Sequence, residues 1–370
     1  MSSRLRTRFV GLATATWSED VRGVTDRLCS LRDATDGCAP EGQHERARMR
    51  AVVTGGAGFI GHHLVDGLVS SGHDVSVIDD FSSGRYSRLA KFGDAVTLTE
   101  ATILDADALD VAVAGADVIF HEAAIASVAR SLHEPRLTND VNENGTIEVM
   151  RAASRNGVRR VVFAGSSAVY GIPEDLPCRE SHRPAPRSPY GVSKLAAELY
   201  VHALGESLGI QTVVLRYFNV YGPGQDPASE YAAVIPRFVT AVLDGERPTI
   251  YGTGDISRDF VYIDDVVEAN MLASQAAVPA NLTCNIATGY PTTLDQLLRT
   301  VVLSAGIEVD PTFGPPRPAD IPHSYADIGV AGRALGYAPR TSLADGIART
   351  IDWYRRASMG PTVTASGPIP

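Results

Sequence analysis

The stretch M-R-A-V-V-T-G-G-A-G-F-I-G, residues 49–61, decides how the rest of the chain is read. Arg50–Thr54 is a short apolar, β-branched run, as a parallel strand buried on both faces requires. Glycines follow at 55, 58 and 61, and Ile60, Leu64, Leu68 and Val69 then recur at helical spacing. A second apolar run, Val75–Ile78, ends at Asp79. Strand, glycine turn, helix, strand and terminal carboxylate form one continuous segment.

Each position has a physical reason. Gly55 permits a tight turn, Gly58 leaves room for a pyrophosphate against the backbone, and Gly61 lets the helix pack close to the sheet. The helix N-terminus offers unpaired N–H groups and a positive dipole end to phosphate. Asp79 can accept bonds from both hydroxyls of an adenosine ribose and would repel a 2′-phosphate, which favours NAD over NADP. Arg85, a few residues on, works against that preference.

Working outward, Ala116–Phe120 and Arg160–Ala164 read as strands with helices between them. The helix after the fourth strand carries Asn142 and the run Ile147–Ala153. Val213–Phe218 is the sixth strand, and Thr283–Ile286 returns to the same sheet. The expected fold is α/β: a Rossmann-type, doubly wound parallel sheet with a smaller, mixed C-terminal substrate-binding lobe. Residues 49–218 form the dinucleotide domain, with a later return near 262–288. Residues 219–356 form the interleaved lobe, and 357–370, rich in Gly, Pro, Ser and Thr, a flexible tail. Residues 1–48 hold no sustained period. They read as a poorly ordered extension or a start codon placed too early, with Met49 the first residue. Acids such as Glu19 and Asp20 argue against a transit peptide.

Of the 370 residues, 44% are apolar and 21% charged, which excludes disorder for the bulk of the chain. Lys plus Arg number 33 against 43 acids, so the net charge of −10 opposes nucleic-acid binding. No apolar run reaches the roughly 18–20 residues needed to span a bilayer. Cys29, Cys38, Cys178 and Cys284 fit neither a zinc pattern nor a disulfide framework, which points to a reducing cytoplasm and no metal.

The chemistry-bearing residues follow the strand at 160–164. S-S-A-V-Y-G stands at its carboxyl end, where ligands sit in such sheets. S-P-Y-G-V-S-K then opens a helix, placing Tyr190 and Lys194 on one face. A tyrosine of pKa about 10 is a poor base at neutral pH. A neighbouring ammonium and a positive nicotinamide ring both favour its phenolate. Such a residue takes a proton from a hydroxyl while the carbon loses hydride. Ser166 can hydrogen-bond the same oxygen.

With V-I-D-D-F-S-S-G, R-Y-F-N-V-Y-G-P-G-Q-D-P and S-R-D-F-V-Y-I-D-D in the same order, the chain resembles the extended short-chain dehydrogenase/reductase family of nucleotide-sugar enzymes over roughly residues 49–354. Within it, H-E-A-A-I-A-S-V-A-R-S, E-Y-A-A-V-I-P-R-F and R-P-A-D-I-P-H-S-Y-A-D are similar to UDP-N-acetylglucosamine and UDP-glucose 4-epimerases. The resemblance implies NAD contacts from Gly55, Gly58, Phe59, Ile60, Gly61, Asp79, Asp80, Ser83, Gly84, Ile103, Ala123, Ala124, Asn142, Ala164, Tyr190, Lys194 and Tyr217, with Asp105 on the adenine. It implies catalytic roles for Ser166, Tyr190 and Lys194. Substrate contacts fall to Ser127, Ser166, Ser167, Asn219 at the phosphates, Ala233 and Val234 at the uracil, Arg258 and Arg317 at the diphosphate, Asp320 and Ser324. The two arginines also have a general rationale, since an acidic chain must meet a diphosphate with planar, permanently charged forks. Arg237 reads as a surface ion-pair residue.

Two positions discriminate between members. Related 4,6-dehydratases carry an Asp-Glu pair where Ser167 and Ala168 stand, and related decarboxylases a Glu at the second position. Without these carboxyls, elimination lacks its acid and base. A small Ser324, where epimerases restricted to non-acetylated sugars carry Tyr, leaves room for a 2-acetamido group. Gly165, Ala126 and Ala129 depart from the family pattern. The expectation is NAD-dependent inversion of C4 in a UDP-hexose through a 4-keto intermediate, by a homodimer. The alternatives are another nucleotide-sugar epimerase, a reductase or other net oxidoreductase that changes the NADH absorbance stoichiometrically, or a dehydratase, acting on UDP-glucuronate or a dTDP-sugar. A catalytically silent NAD-binding scaffold would have no use for Ser166, Tyr190 and Lys194 together.

Overall fold

The computed structural model describes residues 48–227, 233–316 and 321–358. The expectations for residues 1–47, Arg317, Asp320 and the tail from 359 lie outside the described residues. In chain order the first half forms β1 (Arg50–Thr54), α1 (Phe59–Ser70), β2 (Asp74–Asp79), β3 (Val96–Glu100), α2 (Ala106–Val113), β4 (Val118–His121), α3 (Val128–His133), α4 (Pro135–Asn139), α5 (Gly145–Arg155), β5 (Arg160–Ser166), α6 (Pro189–Leu208) and β6 (Gln211–Tyr217). Short elements follow: β7 (Asn219–Tyr221), α7 (Val234–Leu243), β8 (Thr249–Tyr251), β9 (Ser257–Arg258), β10 (Phe260–Tyr262) and α8 (Ile263–Gln275). The chain ends with β11 (Asn281–Ile286), β12 (Thr292–Thr293), α9 (Leu294–Ala305), β13 (Thr312–Gly314), β14 (His323–Ser324), α10 (Gly329–Leu335) and α11 (Leu343–Ser358).

Seven strands make one sheet in the order β3-β2-β1-β4-β5-β6-β11. All of its pairings are parallel. The order reverses at β1, between β2 and β4, and such a switch point opens a crevice at the strand ends. The predicted return of 283–286 is a full strand, β11, whose register on β6 runs from Asn281 opposite Thr212 to Ile286 opposite Tyr217.

Both faces of the central strands are covered, which is why β1, β4, β5 and β6 read as continuous apolar runs. Successive side chains alternate between faces. Val53, Val77, Phe120, Val162 and Leu215 join Leu64 and Leu68 of α1 and Val266 of α8. Val52, Ile78, Ile119, Phe163 and Val214 join Leu109 of α2, Met150 of α5 and Val201 of α6. Each such side chain contributes about 1.5–3 kcal/mol on burial. Within the second half, β7 pairs with β10, β9 with β12 and β14, and β8 with β13. The fully buried Asp259, between β9 and β10, accepts from Thr288 N and Oγ1, Gly289 N and Ala326 N at 2.6–3.2 Å. That one carboxylate ties the Arg258 segment to the ends of β11 and β14.

Candidate active site

The glycine turn after β1 is held by its own backbone. Gly55 has φ +69°, and its N–H donates to Ile78 O at 2.8 Å. A Cβ on Gly55 would stand 2.7 Å from Ala123 Cα, and one on Gly61 would stand 2.2 Å from Gly55 O. Gly61 therefore seats α1 against the turn itself, more closely than against the strands. Gly58 precedes α1 without a side-chain cap, and the first turn of α1 carries no acid. Its N–H groups and positive dipole end stay available to an anion.

Around this turn lies a cleft of about 480 Å³ lined by Gly55, Gly58, Phe59, Ile60, Gly61, Asp79, Asp80, Ser83, Ile103, Ala123 and Ala124, all expected from the sequence. Asp79 Oδ2 accepts from Ala57 N at 2.9 Å and Oδ1 from Phe81 N at 2.8 Å, fixing the carboxylate at the tip of β2. Burial pushes its pKa up, against these two donors. Gly84 belongs to the same wall, since a Cβ there would meet Asp79 Oδ1 and Ala57 Cβ at 2.7 Å. Arg85 is ion-paired with Asp226. Arg88 donates to Ala57 O at 3.0 Å and Gly224 O at 2.6 Å, so the 224–226 loop is fastened across to the glycine turn. An uncapped helix end, a wall too tight for a Cβ and a carboxylate at the neighbouring strand tip together fit a dinucleotide.

Two expected cofactor residues do other work. Asp105 is the exposed N-cap of α2, with Oδ1 accepting from Asp107 N and Ala108 N at 3.1 Å. It does not line the cleft, whereas Thr102 does. Asn142 is buried in a π-helical turn, Asp140–Asn144. Its Oδ1 accepts from Ile125 N at 2.8 Å, and its Nδ2 donates to Ile125 O at 3.2 Å and Ser193 Oγ at 3.0 Å. With its amide spent this way, Asn142 ties the segment after β4 to α6. Ser127, expected at the sugar, caps α3 by accepting from Arg130 N at 3.1 Å.

Ser166 closes β5, and its Oγ accepts from Ala168 N at 3.2 Å at the start of a turn over Ser167–Val169. Ala164 lies buried two residues earlier. Gly165 packs on β6, where a Cβ would come within 2.9 Å of Val214 Cγ1. That contact explains why a larger residue is missing there. α6 opens at Ser188, whose Oγ accepts from Gly191 N at 3.1 Å. A Cβ on Gly191 would stand 2.8 Å from Ala168 O, so the helix start lies tight on the Ser167–Val169 turn. Tyr190 thereby comes within reach of Ser166, whose hydroxyl lowers the phenol's pKa. Lys194, one turn on, is buried with Nζ 4.3 Å from the Phe163 ring centroid.

The electrostatics differ from the expectation of a phenol governed by its lysine. Burial dominates and pushes the Tyr190 pKa up, the Ser166 hydrogen bond lowers it, and Glu122 raises it. Burial also brings Lys194 down to about 8, against the opposing carboxyls of Glu122 and Glu198. Glu122 was not singled out in the sequence. The available signal was a charged residue in an apolar strand end, in F-H-E-A-A. Its carboxyl accepts from Tyr217 Oη at 2.7 Å.

A second cavity of about 560 Å³ gathers Asn219, Ala233, Val234 and Arg258, as expected, with Tyr221, Phe238, Arg237 and Arg247. Arg237 therefore faces a cavity, not only open solvent. Arg247 donates to Asp310 O and Pro311 O at 3.2 and 3.1 Å. Ser324 stands in register with Arg258 on β14, while Tyr325 O accepts from Cys178 N. β5, bearing Ser166, lies between β4, which runs into the first cleft, and β6, which runs toward Asn219 of the second.

A nicotinamide-type cleft beside a serine–tyrosine–lysine set defines a dinucleotide-linked enzyme acting at an alcohol. Residues 51–287 match the NAD dependent epimerase/dehydratase family, and the chain belongs to that family. NAD is its cofactor. Over 314 residues it is 39% identical to a UDP-glucose 4-epimerase of Mycolicibacterium smegmatis, covering 84% of this chain and all of the relative. A dTDP-glucose 4,6-dehydratase of Streptomyces niveus is 35% identical over 83% of this chain and 93% of its own. Among solved structures, a UDP-N-acetylglucosamine 4-epimerase from Methanobrevibacter ruminantium in complex with UDP-N-acetylmuramic acid superposes with a TM-score of 0.80 at 38% identity, over 84% of this chain and 99% of that one.

Proposed function

We propose that this enzyme inverts C4 of a UDP-hexose, interconverting UDP-GlcNAc with UDP-GalNAc and UDP-glucose with UDP-galactose. The observation that carries the choice is the Ser167–Val169 turn beside Tyr190. It offers a serine and an alanine where elimination would need carboxyls. NAD, bound in the first cleft, supplies the acceptor for the C4 hydride and its return. Tyr190 takes the C4-hydroxyl proton, and Ser166 steadies the oxygen as it becomes a carbonyl. Burial disfavours the Tyr190 phenolate, and the Lys194 ammonium one helical turn on is the charge that would favour it. Arg258 and Asn219, on the second cavity, hold the diphosphate. Anchoring through the nucleotide leaves the hexose free to turn and present its other face.

The division of labour belongs to the same reading: residues 49–218 carry the redox chemistry and 219–356 recognise the nucleotide. So does a homodimer. α6 exposes Val192 and Leu199, and α3 and α4, which pack on α6, expose Leu132 and Leu137. A cytoplasmic location agrees with free, buried Cys178 and Cys284. Among the described residues no helix is long and apolar enough to cross a membrane.

The test is incubation with a panel of UDP- and dTDP-sugars, read at the anomeric proton by NMR. Epimeric products are expected without net NADH, and Tyr190→Phe should cost about 10²–10⁴-fold in rate. A keto-deoxy product would convert the assignment to a dehydratase. Ser324→Tyr should suppress turnover of the acetylated sugars and spare UDP-glucose.

A further inference from the structure

Glu122 has no part in the chemistry above, yet it is built into the cofactor cleft. It follows β4 directly and lines the cleft beside Ala123 and Ala124. Tyr217, its hydrogen-bond donor, ends β6, so the bond bridges the end of β5, the strand that carries Ser166. The direction of this chain is fixed from its far end. Asn270 Nδ2 donates to Tyr217 Oη at 2.8 Å and to Val266 O at 2.9 Å, while its Oδ1 meets no hydrogen-bond partner among the described residues. Tyr217 therefore accepts from Asn270 and must give its own proton to Glu122 Oε1. Any proton that Glu122 carries sits on its other oxygen.

Burial pushes the Glu122 carboxyl up to about 7, against the Tyr217 hydrogen bond and the Lys194 charge. The other groups packed around it titrate elsewhere. Tyr190 on α6 and Tyr217 on β6 are raised by burial, Asn270 on α8 is neutral, and His121 on β4 is held to about 3. Only Lys194, at about 8, overlaps.

We propose that Glu122 sets the charge of the cofactor cleft, releasing its proton to solvent when the oxidised, cationic nicotinamide is bound and keeping it when the reduced, neutral ring is bound. This rests on the reading that NAD occupies the first cleft. A carboxylate attracts the pyridinium, so the proton is held less tightly in the oxidised complex. Preference for NAD⁺ over NADH then rises with pH across the Glu122 titration, tenfold for each unit separating its pKa in the two complexes. The resident cofactor is thereby biased toward the form that begins each catalytic cycle.

The test reads binding, not turnover. Protein is equilibrated with mixtures of NAD⁺ and NADH between about pH 5.5 and 8. It is then desalted, and the bound ratio is read from the near-ultraviolet absorbance of the reduced ring. Lys194→Met removes the overlapping ammonium and should keep the rise, about tenfold and displaced to higher pH. Lys194→Met with Glu122→Gln should be flat. Tyr217→Phe should move the rise upward in pH without changing its size, a response that a merely structural Glu122 would not give. An equal rise in the double variant, or a flat Lys194→Met, overturns the proposal while leaving the cofactor site intact. Binding of neither form by the wild type would remove both the proposal and the assignment of the cleft.

Discussion

The two cavities are made from opposite materials. The cofactor cleft uses backbone: N–H groups at the start of α1, the carbonyl of Gly55, and glycines where a Cβ has no room. Its parts come mostly from neighbouring segments of chain. The second cavity uses side chains, with Arg237, Arg247, Arg258, Tyr221 and Phe238 brought together from separate elements. The first admits few residue types at each position, whereas the second can be retuned one side chain at a time. On the proposed assignment, the cofactor is recognised by geometry that tolerates few substitutions, and the substrate by groups that can be exchanged.

The contrast can be broken most severely at Gly61. A branched side chain in Gly61→Val would collide with Gly55 O, which already lies 2.2 Å from an added Cβ. Complete loss of cofactor retention and a lowered melting temperature are expected. A dissociation constant for NAD within a few-fold of wild type would show that the turn is not rigid. Next in size is Arg258→Ala. Loss of a charged hydrogen-bonding partner, worth about 1.5–3 kcal/mol, should lower kcat/KM for the UDP-sugar about 10–100-fold with NAD retention unchanged. If NAD is lost in step, the cavities are not independent. The smallest effect is expected at Asp105→Ala. Removing this N-cap should cost about 1 kcal/mol of stability in denaturant titrations and leave NAD affinity alone. A tenfold drop in affinity would return Asp105 to the adenine.

The same contrast explains what could be read from the chain. The glycine turn, Asp79, Ser166, Tyr190 and Lys194 are local patterns, and each landed where its neighbours required. β3, by contrast, is V-T-L-T-E, a half-exposed edge strand whose alternation is too weak to stand out. Asp105 and Asn142 show a role the sequence did not declare, because a polar residue near a strand end can serve a ligand or the backbone. Only the amides it meets tell which. Arg237 and Glu122 were legible as charges but not as neighbours of a cleft, since their surroundings come from distant elements. The surroundings of Tyr190 were hidden for a related reason. A sequence shows the lysine four residues away but not the burial that raises the phenol.

β11 carries a consequence for biosynthesis. The seventh strand emerges only after the whole of β7–α8 has been translated. Until then β6 is a bare edge, with its N–H and C=O row ready to pair with any extended segment. At about 5–20 residues per second, the ribosome leaves that edge uncovered for several seconds. A truncation before Asn281 would leave it uncovered permanently. Nonsense alleles that fall between the end of β6 and Asn281 should therefore yield aggregates, not a free-standing dinucleotide domain.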